Sequence, residues 1–489
     1  MSKYFKKIIL LIIFACFQVG VSLGQTVKNY SKEIEAKIKQ VESNLTGAVQ
    51  IENIPPTKWT IAERMKFYHA NGISITVIKD YKIEWTKSYG WADSSEQRPV
   101  TPVIRFQAGS NSKSLNAIGI LKLVQDGKIN LNEDINKYLK SWKFPYDSLS
   151  KGKKITVANL LSHTAGITIH GFPGYEKGDT IPTLTQILDG QKPANTQAVR
   201  SIFEPSLKYQ YSGGGTTISQ LIVQDVTGQP YDEYMWKNVL KPMGMTNSSY
   251  TQPPIKKIEK FLATGYYNDG KPVKGKYHIY PEQAAAGLWT TSNDLAKYVI
   301  ETQLALVGKS QKVLNREMTT LRLTPYLDSL SAFGVFILNN GGVKYFKHGG
   351  VDEGFVSQYV GSFEGGNGVV VMTNTYNTLL FDEIIYSFAT TYNWKNYSPE
   401  VRKTVTLPDA LIENFIGKYQ LDKQNLSILK KTDGIYLEDL TNKTSWKVYF
   451  TDNSNFFVLE NRIKYSFEFD KNNKVINLKG NNRIFRKLE

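Results

Sequence analysis

Apolar and polar residues alternate in some stretches of this chain and recur at helical spacing in others. Residues 72–77 alternate strictly, which predicts a half-buried strand. Lys79 and Asp80 then mark a turn, and Ile83 and Trp85 fall in a second predicted strand. The pattern therefore predicts two strands joined by a short turn near the start of the chain.

Helical spacing predicts one helix beginning at Ser31 and another following Ser110, the second strongly amphipathic. Their apolar positions lie three or four residues apart: Ile34, Ile38 and Val41 in the first, and Leu115, Ile118, Leu121 and Val124 in the second. Helices and long loops mix over residues 130–330, and strands return at 333–338, 356–363 and 368–373. This order predicts one α/β domain whose sheet is completed from both ends of the sequence.

The composition changes after about residue 395. Residues 396–408 resemble a linker, and residues 409–489 contain short aromatic and β-branched runs separated by Asn, Asp, Lys and Gly. We therefore divide the chain into a large domain over residues 25–395, this linker, and a small antiparallel β-domain, either a sheet or a barrel.

Residues 1–24 have the layout of a secretory signal peptide, with lysines first, an apolar stretch from Ile8, and small residues at the end. Cleavage after Gly24 would leave a mature chain starting at Gln25, exported to the periplasm or the extracellular space. Attachment of a lipid at Cys16 is an alternative, and an uncleaved anchor is another. No later segment is long and apolar enough to predict a transmembrane helix.

Composition excludes several classes of protein. The 489 residues are 41% hydrophobic and 21% charged, which is typical of a globular chain. One cysteine and five scattered histidines argue against a disulfide framework and a metal site, and we expect no cofactor. The net charge is +16, but no basic run or nucleic-acid motif accompanies it. We expect a monomer that acts on a small-molecule or peptide substrate, with cell-wall fragments among the candidates, and does not bind nucleic acid.

Ser110 and Lys113 form an S-x-x-K pattern at the start of the second predicted helix, where both side chains share one face. A lysine whose pKa is lowered there can take the serine proton. The alternative is that Ser110 only caps the helix. The same spacing recurs elsewhere, but without this context, at Ser148/Lys151, Ser150/Lys153 and Ser427/Lys430.

Two further segments strengthen the hypothesis that Ser110 is catalytic. Tyr211-Ser212-Gly213 precedes a predicted helix, and a tyrosine there can relay protons once flanking cations lower its pKa. His348-Gly349-Gly350 precedes a predicted strand, where an edge strand could supply an amide to an oxyanion hole. Each segment also has an ordinary structural explanation, namely a packed loop tyrosine and a glycine-rich strand entry.

Taken together, these segments resemble the serine β-lactamase/penicillin-binding-protein superfamily, and within it the class C β-lactamase-like group of esterases and D-alanyl-D-alanine carboxypeptidases. The resemblance runs from about residue 40 to 390 and rests on five stretches in order: 106–113, 160–166, 211–213, 287–296 and 348–355. It implies an antiparallel sheet flanked by helices, plus a helical subdomain. The tail resembles the lipocalin-like β-domain found after some of these hydrolases.

The resemblance also implies roles for individual residues. Ser110 would be the acylated nucleophile, and Lys113 and Tyr211 would move protons. The amides of Ser110 and Val351 would form the oxyanion hole beside Gly349 and Gly350. His348 would replace the family's lysine and read substrate charge, becoming cationic on the acidic side of neutrality.

Gly213 stands where the family usually has Asn or Ser, and it has no side chain to hold a substrate carbonyl. Together with His348, this departure points away from an efficient β-lactamase. We predict a secreted serine hydrolase acting on esters or amides, including D-amino-acid peptides. Alternatives are a β-lactam sensor with little turnover, a true class C-type β-lactamase, and a noncatalytic envelope protein.

Overall fold

A computed structural model describes residues 29–441 and 443–488 of this protein. The predicted signal peptide and Cys16 lie outside the described residues. Within those residues, no helix combines the length and the apolar character needed to cross a bilayer.

Twelve α-helices run through the described chain. They are α1 (Lys32–Ser43), α2 (Ile61–Phe67), α3 (Ser112–Gln125), α4 (Val157–Ser162), α5 (Leu184–Asp189), α6 (Gly213–Thr227), α7 (Tyr231–Met235), α8 (Gln283–Ala286), α9 (Ser292–Leu306), α10 (Arg316–Arg322), α11 (Leu379–Thr391) and α12 (Asp409–Phe415). Ser31 caps α1, as its side chain accepts a hydrogen bond from the Ile34 amide.

Twelve of the strands precede residue 403. They are β1 (Val49–Ile51), β2 (Gly72–Lys79), β3 (Lys82–Asp93), β4 (Arg98–Pro99), β5 (Phe106–Gln107), β6 (Trp289–Thr290), β7 (Ser331–Ala332), β8 (Val335–Asn340), β9 (Val343–Asp352), β10 (Phe355–Ser362), β11 (Gly368–Thr373) and β12 (Glu400–Arg402). The predicted hairpin is confirmed as β2 and β3, and the three returning strands correspond to β8, β10 and β11.

An eight-stranded antiparallel sheet forms the centre of the large domain, in the order β4-β3-β2-β11-β10-β9-β8-β7. Strand β2 pairs with β11, so that Ile75 lies opposite Val371. Strands from the two ends of the sequence therefore meet in the middle of the sheet, as predicted. The α/β class with an antiparallel sheet is confirmed.

Strand β2 is buried on both faces, although its alternation predicted one exposed face. Ile73, Ile75 and Val77 pack toward the layer of α1 and α11. On the other face, Ser74 and Thr76 each contact Ser292 Oγ, at the start of α9, at 2.8 Å. Small hydroxyl side chains that bond to one another satisfy their polar atoms without water, so a polar face can be buried.

Helix α3 is buried on almost every side, whereas its spacing predicted an amphipathic helix. It lies against α6, α8 and α10, and Gly334 contacts its first turn. The polar positions that suggested a solvent-facing side are instead bonded inside the protein. Asn116, for example, donates to Ser219 and accepts from Tyr231.

The tail forms a single nine-stranded sheet that closes almost into a barrel. Its strands are β13 (Gly417–Leu421), β14 (Gln424–Lys431), β15 (Gly434–Asp439), β16 (Thr444–Lys447), β17 (Tyr449–Phe450), β18 (Asn455–Phe457), β19 (Tyr465–Phe469), β20 (Val475–Gly480) and β21 (Arg483–Lys487). The order is β16-β15-β14-β13-β21-β20-β19-β18-β17. Only Val448 separates the two edge strands in sequence, so the edges of the sheet come together.

The segment between the two parts is structured. Strand β12 pairs in parallel with β1, and the Val49 amide donates to the Leu459 carbonyl at 3.0 Å. Gly47 lies against Leu459 so closely that an added Cβ would fall 2.1 Å from its carbonyl oxygen. Residues 396–408, interpreted from sequence as a linker, thus include a strand. The division into two domains stays a prediction.

Candidate active site

Ser110 lies in a tight 3₁₀ turn, Gly109–Asn111, between β5 and α3. Gly109 has φ +52, and a Cβ there would lie 2.4 Å from the Val351 nitrogen. The turn therefore requires glycine both for its backbone angle and for the close approach of β9. Ser110 does not cap α3, because the cap position is Asn111 and Ser110 is half-buried with its hydroxyl toward Lys113.

Lys113 is the partner of Ser110. Its Nζ donates to Ser110 Oγ at 3.0 Å and to the Ala285 carbonyl at 2.7 Å. Burial lowers the pKa of Lys113 to about 7, although Asp352 opposes the shift. A sizeable fraction of this lysine is neutral at physiological pH, so its nitrogen can accept the serine proton.

Tyr211 lies beside both residues. Its ring centroid is 5.1 Å from Lys113 Nζ, and it packs on the rings of His163 and His170 at centroid distances of 4.2 and 4.8 Å. Burial raises the pKa of Tyr211, and a hydrogen bond with Ser110 only partly offsets this. The expectation of a lowered tyrosine pKa is therefore wrong, and Tyr211 holds its proton at neutral pH.

Strand β9 lies beside the Ser110 turn at the predicted oxyanion position. Strand β8 pairs with β9 only up to Lys347, so the segment from His348 onward has one edge open toward the turn. A Cβ on Gly350 would fall 1.8 Å from the Ala108 oxygen and 2.9 Å from the Ser110 nitrogen. The Ser110 and Val351 amides thus lie on neighbouring segments, with Gly349 and Val351 exposed beside them.

His348 is also brought to this site, but its side chain is only 2% exposed. Burial and the charge of Lys113 lower the pKa of His348 to about 3, so the imidazole is neutral. Its Nδ1 lies 2.6 Å from the Gly349 carbonyl, and because a carbonyl can only accept, Nδ1 carries the proton. The expectation that His348 gains charge just below neutrality is therefore wrong for the free protein.

The other nitrogen of His348 is then a lone-pair acceptor. Nε2 is buried and has no hydrogen-bond partner within residues 29–441 and 443–488. Phe336 packs on the ring at a centroid distance of 5.1 Å, and the Tyr211 ring lies 6.4 Å away. Nε2 is therefore a buried acceptor without a partner among the described residues, lying beside these two rings.

Gly213 begins α6 and does not offer a group to the site. Its amide donates to the His170 carbonyl at 3.0 Å. A Cβ there would lie 3.1 Å from that oxygen and 3.1 Å from the Phe172 ring, so the backbone of this loop takes the space a longer side chain would need. Ser212 caps α6 by accepting from the Gly215 amide at 2.9 Å, which fixes the position of Tyr211.

Three neighbours of the site escaped sequence reasoning. Asp352 accepts from the Gly109 amide at 3.1 Å, and burial raises the pKa of its carboxyl. Glu282 immediately precedes α8, whose Ala285 carbonyl holds Lys113, and burial raises its pKa to about 8. The third neighbour is His170, which is exposed and whose ring packs against the ring of Tyr211. Only Asp352 had a sequence signal, because it follows Gly350 by two positions.

His163 is buried and positions Tyr211, since its Nδ1 accepts from the Ser212 amide at 3.2 Å. This agrees with its interpretation from sequence as a structural residue. Among the residues that the structure describes, no group of three or more His, Cys, Asp or Glu could hold a metal ion.

Comparison with known proteins gives a family. The family model described as Beta-lactamase matches residues 59–385. Protein flp of Staphylococcus aureus is 26% identical over 336 residues, which are 68% of this chain but only 65% of that protein. The putative penicillin-binding protein PbpX of Bacillus subtilis is 25% identical over 361 residues, 73% of this chain and 80% of that protein.

Solved structures share the fold. The octameric penicillin-binding protein homologue from Pyrococcus abyssi has a TM-score of 0.59 at 22% identity, covering 87% of this chain and 98% of its own. FmtA from Staphylococcus aureus has a TM-score of 0.57 at 19% identity, covering 78% and 96%. Since the family model matches more than half of the 489 residues, this chain belongs to the Beta-lactamase family.

Proposed function

We propose that this protein is an exported serine hydrolase that works through an acyl-enzyme on Ser110. One observation carries the proposal: Lys113 Nζ lies 3.0 Å from Ser110 Oγ, and burial brings the pKa of that lysine to about 7. A neutral lysine at hydrogen-bond distance is what a serine needs in order to lose its proton as it attacks.

In acylation, Ser110 Oγ attacks the substrate carbonyl carbon and its proton moves to Lys113 Nζ. The bond to the leaving oxygen or nitrogen breaks as that atom takes a proton relayed through Tyr211. In deacylation, water attacks the acyl carbonyl, the proton passes to the same pair, and Ser110 Oγ leaves with a proton. The Ser110 and Val351 amides would hold the oxyanion in both steps.

The site favours substrates without a carboxylate near His348. A neutral imidazole whose Nε2 accepts hydrogen bonds suits an N–H or O–H donor, whereas a lysine in that place would suit an anion. Gly213 likewise contributes no side-chain amide. We therefore propose esters and amides, including D-amino-acid peptides, ahead of β-lactam antibiotics. A β-lactam sensor and a class C-type β-lactamase are the rival functions.

Export is part of the proposal, with residues 1–24 removed. Intact mass of the protein recovered from the medium or periplasm should correspond to a chain starting at Gln25. A lipid-modified Cys16 would give an earlier start, at Cys16 itself, and therefore a longer chain and a membrane-associated product.

The nucleophile is tested with a fluorophosphonate probe, which adds a fixed mass to an activated serine. We expect labelling of the peptide that contains Ser110, and Ser110→Ala should lose labelling and lower turnover by about 10⁴- to 10⁶-fold. Ser148→Ala is the matched control, since Ser148 has the same spacing to a lysine but lies exposed outside the site. Full labelling of Ser110→Ala would refute the proposed mechanism.

A small substrate panel separates the rival functions. A neutral ester, a D-alanyl dipeptide amide and a cephalosporin should be compared by kcat/KM, together with intact mass after each incubation. Hydrolysis of the first two above the third supports the proposal. A stable acyl adduct with the cephalosporin and no turnover of any substrate would favour the sensor, and rapid cephalosporin turnover would favour the β-lactamase.

A further inference from the structure

We propose that the mouth of the C-terminal barrel is a binding site for an uncharged saccharide and holds the sugar part of a substrate acylated at Ser110. The second half of this statement rests on the proposed function. The site is a cavity of about 270 Å³ between the barrel and the large domain. This is close to the lower end of small-molecule sites, about 300 Å³.

Side chains from inside the barrel form the wall of the cavity. Trp446, Tyr465 and Phe485 give it aromatic faces, and Thr444 and Gln424 give it polar groups. The opposite end of the barrel is filled, because Phe415 stacks on Phe467 with centroids 4.2 Å apart. A barrel that is packed at one end and hollow at the other can hold one small ligand.

Two polar groups in this wall are buried without a partner. Thr444 is 6% exposed, and its Oγ1 bonds to nothing within residues 29–441 and 443–488. The same holds in that range for Trp446 Nε1, a hydrogen-bond donor. Leaving such groups unpaired costs free energy, so a ligand that bonds to them recovers it.

The charges of the wall cancel before a ligand arrives. Arg483 Nη1 donates to Gln424 Oε1 at 3.0 Å, and Gln424 Nε2 donates to Asp439 Oδ2 at 3.1 Å. One cation and one anion are thus tied to the same glutamine. A neutral ligand with an apolar ring face and hydroxyl groups around its edge fits these aromatic faces and short polar groups, and a saccharide has that chemistry.

The cavity lies near the catalytic strand. Residues 376–379, which line it, follow the end of β11 at Thr373 after two intervening residues. Val356 of β10 pairs with both Val351 of β9 and Thr373 of β11, so the oxyanion position and the start of this loop are two strand spacings apart, about 10 Å. A sugar ester with one or two rings can span that separation.

Binding is tested on the mature chain carrying Ser110→Ala, so that no hydrolysis interferes. Saturation-transfer NMR should detect cellobiose and N,N′-diacetylchitobiose at about 10 mM, as expected for weak sites. Thr444→Val should weaken binding by about 2- to 10-fold through loss of one hydrogen bond, without lowering the Tm, because it removes an unpaired hydroxyl. Trp446→Leu should weaken it at least as much, and Trp236→Leu, at an exposed tryptophan of the large domain, should not.

Absence of saturable binding by either disaccharide, or binding that both barrel variants leave unchanged, would overturn the proposal. Binding of a capped neutral dipeptide but not of the sugars would overturn the ligand class. If Trp446→Leu fails to fold, Thr444→Val still decides.

The link to hydrolysis needs active enzyme. Thr444→Val should raise the KM for an O-acetylated chitobiose and leave the KM for p-nitrophenyl acetate unchanged. An unchanged KM for both would overturn the substrate half and leave the binding half supported. Absent Ser110 labelling by fluorophosphonate would instead refute the proposed function.

Discussion

Two basic side chains of this protein, Arg64 and Lys113, are buried to the same extent, at 4% exposure, yet their hydrogen-bond partners differ. Arg64, on α2, donates to Glu383 from Nε at 2.7 Å and also from Nη2, and its second contacts are Tyr68 and Glu460. Among the residues that the structure describes, Lys113 Nζ has only the neutral Ser110 and Ala285 oxygens as hydrogen-bond partners.

The pKa values move in opposite directions. Burial alone would lower the pKa of Arg64, but Glu383 outweighs it and raises the pKa overall. Burial lowers the pKa of Lys113 to about 7, because Asp352 only weakly opposes it. Burial tunes a cation toward neutrality only where no anion pairs with it directly. We infer that the Arg64 site is a structural clamp, and we propose that the Lys113 site supplies a base.

The largest expected effect is on turnover. Lys113→Met and Tyr211→Phe should each lower kcat by about 10³- to 10⁵-fold, and the double variant should be little worse, because residues that act as one unit are not additive. Steady-state kinetics on all three variants, with Ser110 labelling as a second readout, check this. Losses that multiply would show two independent roles.

The clamp formed by Arg64 and Glu383 should affect the free energy of unfolding rather than turnover. Arg64→Met leaves Glu383 buried without its cation and should lower the free energy of unfolding by about 3–5 kcal/mol. Urea denaturation measures the change. Glu383→Leu added to Arg64→Met should recover much of the loss, because a buried pair can be replaced by apolar residues. A fully stable Arg64→Met would contradict the clamp, as would a loss of turnover in its folded fraction.

The base should be visible in the pH profile. With a substrate that does not ionise, kcat/KM should rise with pH through about 7, as Lys113 loses its proton. The folded pKa of this lysine lies below its unfolded value of about 10.4, so the unfolded state binds more protons between them. Stability should therefore rise with pH from about 7 upward, and Lys113→Met should remove that slope. A flat activity profile from pH 5.5 to 8.5 would argue against Lys113 as the base.

Glu460 should give the smallest effect. Burial raises its pKa to about 7, although Arg64 opposes the shift. The folded state then holds the proton more strongly, so stability is full below about pH 4.3, the unfolded value, and declines as pH rises toward 7. Glu460→Gln should remove most of that decline, which a folded pKa of about 7 sets at about 2–3 kcal/mol between pH 5 and pH 8. Thermal unfolding at both pH values measures the change. A steeper decline in the variant would mean that the charged form is the favoured one.

The sequence by itself determined where many strands and helices lie and the order of the segments that resemble the family's motifs. Alternation at 72–77, helical spacing from Ser31, and the short aromatic runs of the tail depend on neighbours a few residues away, so they could be read directly. The predicted contact between Ser110 and Lys113 is also present, because a serine in the 3₁₀ turn that leads into α3 and a lysine three residues later lie on the same side.

Only the tertiary structure decided the charge states of the site residues. It also decided that the faces of β2 and α3 that the pattern predicted to be exposed are buried. The pKa of Lys113, the neutrality of His348 and the retained proton of Tyr211 all follow from burial by segments far away in the chain. The all-round burial of α3 and the hydroxyl pairs under β2 have the same origin. Desolvation depends on everything that surrounds a group, and the residues next to it in sequence supply only a small part of that surrounding.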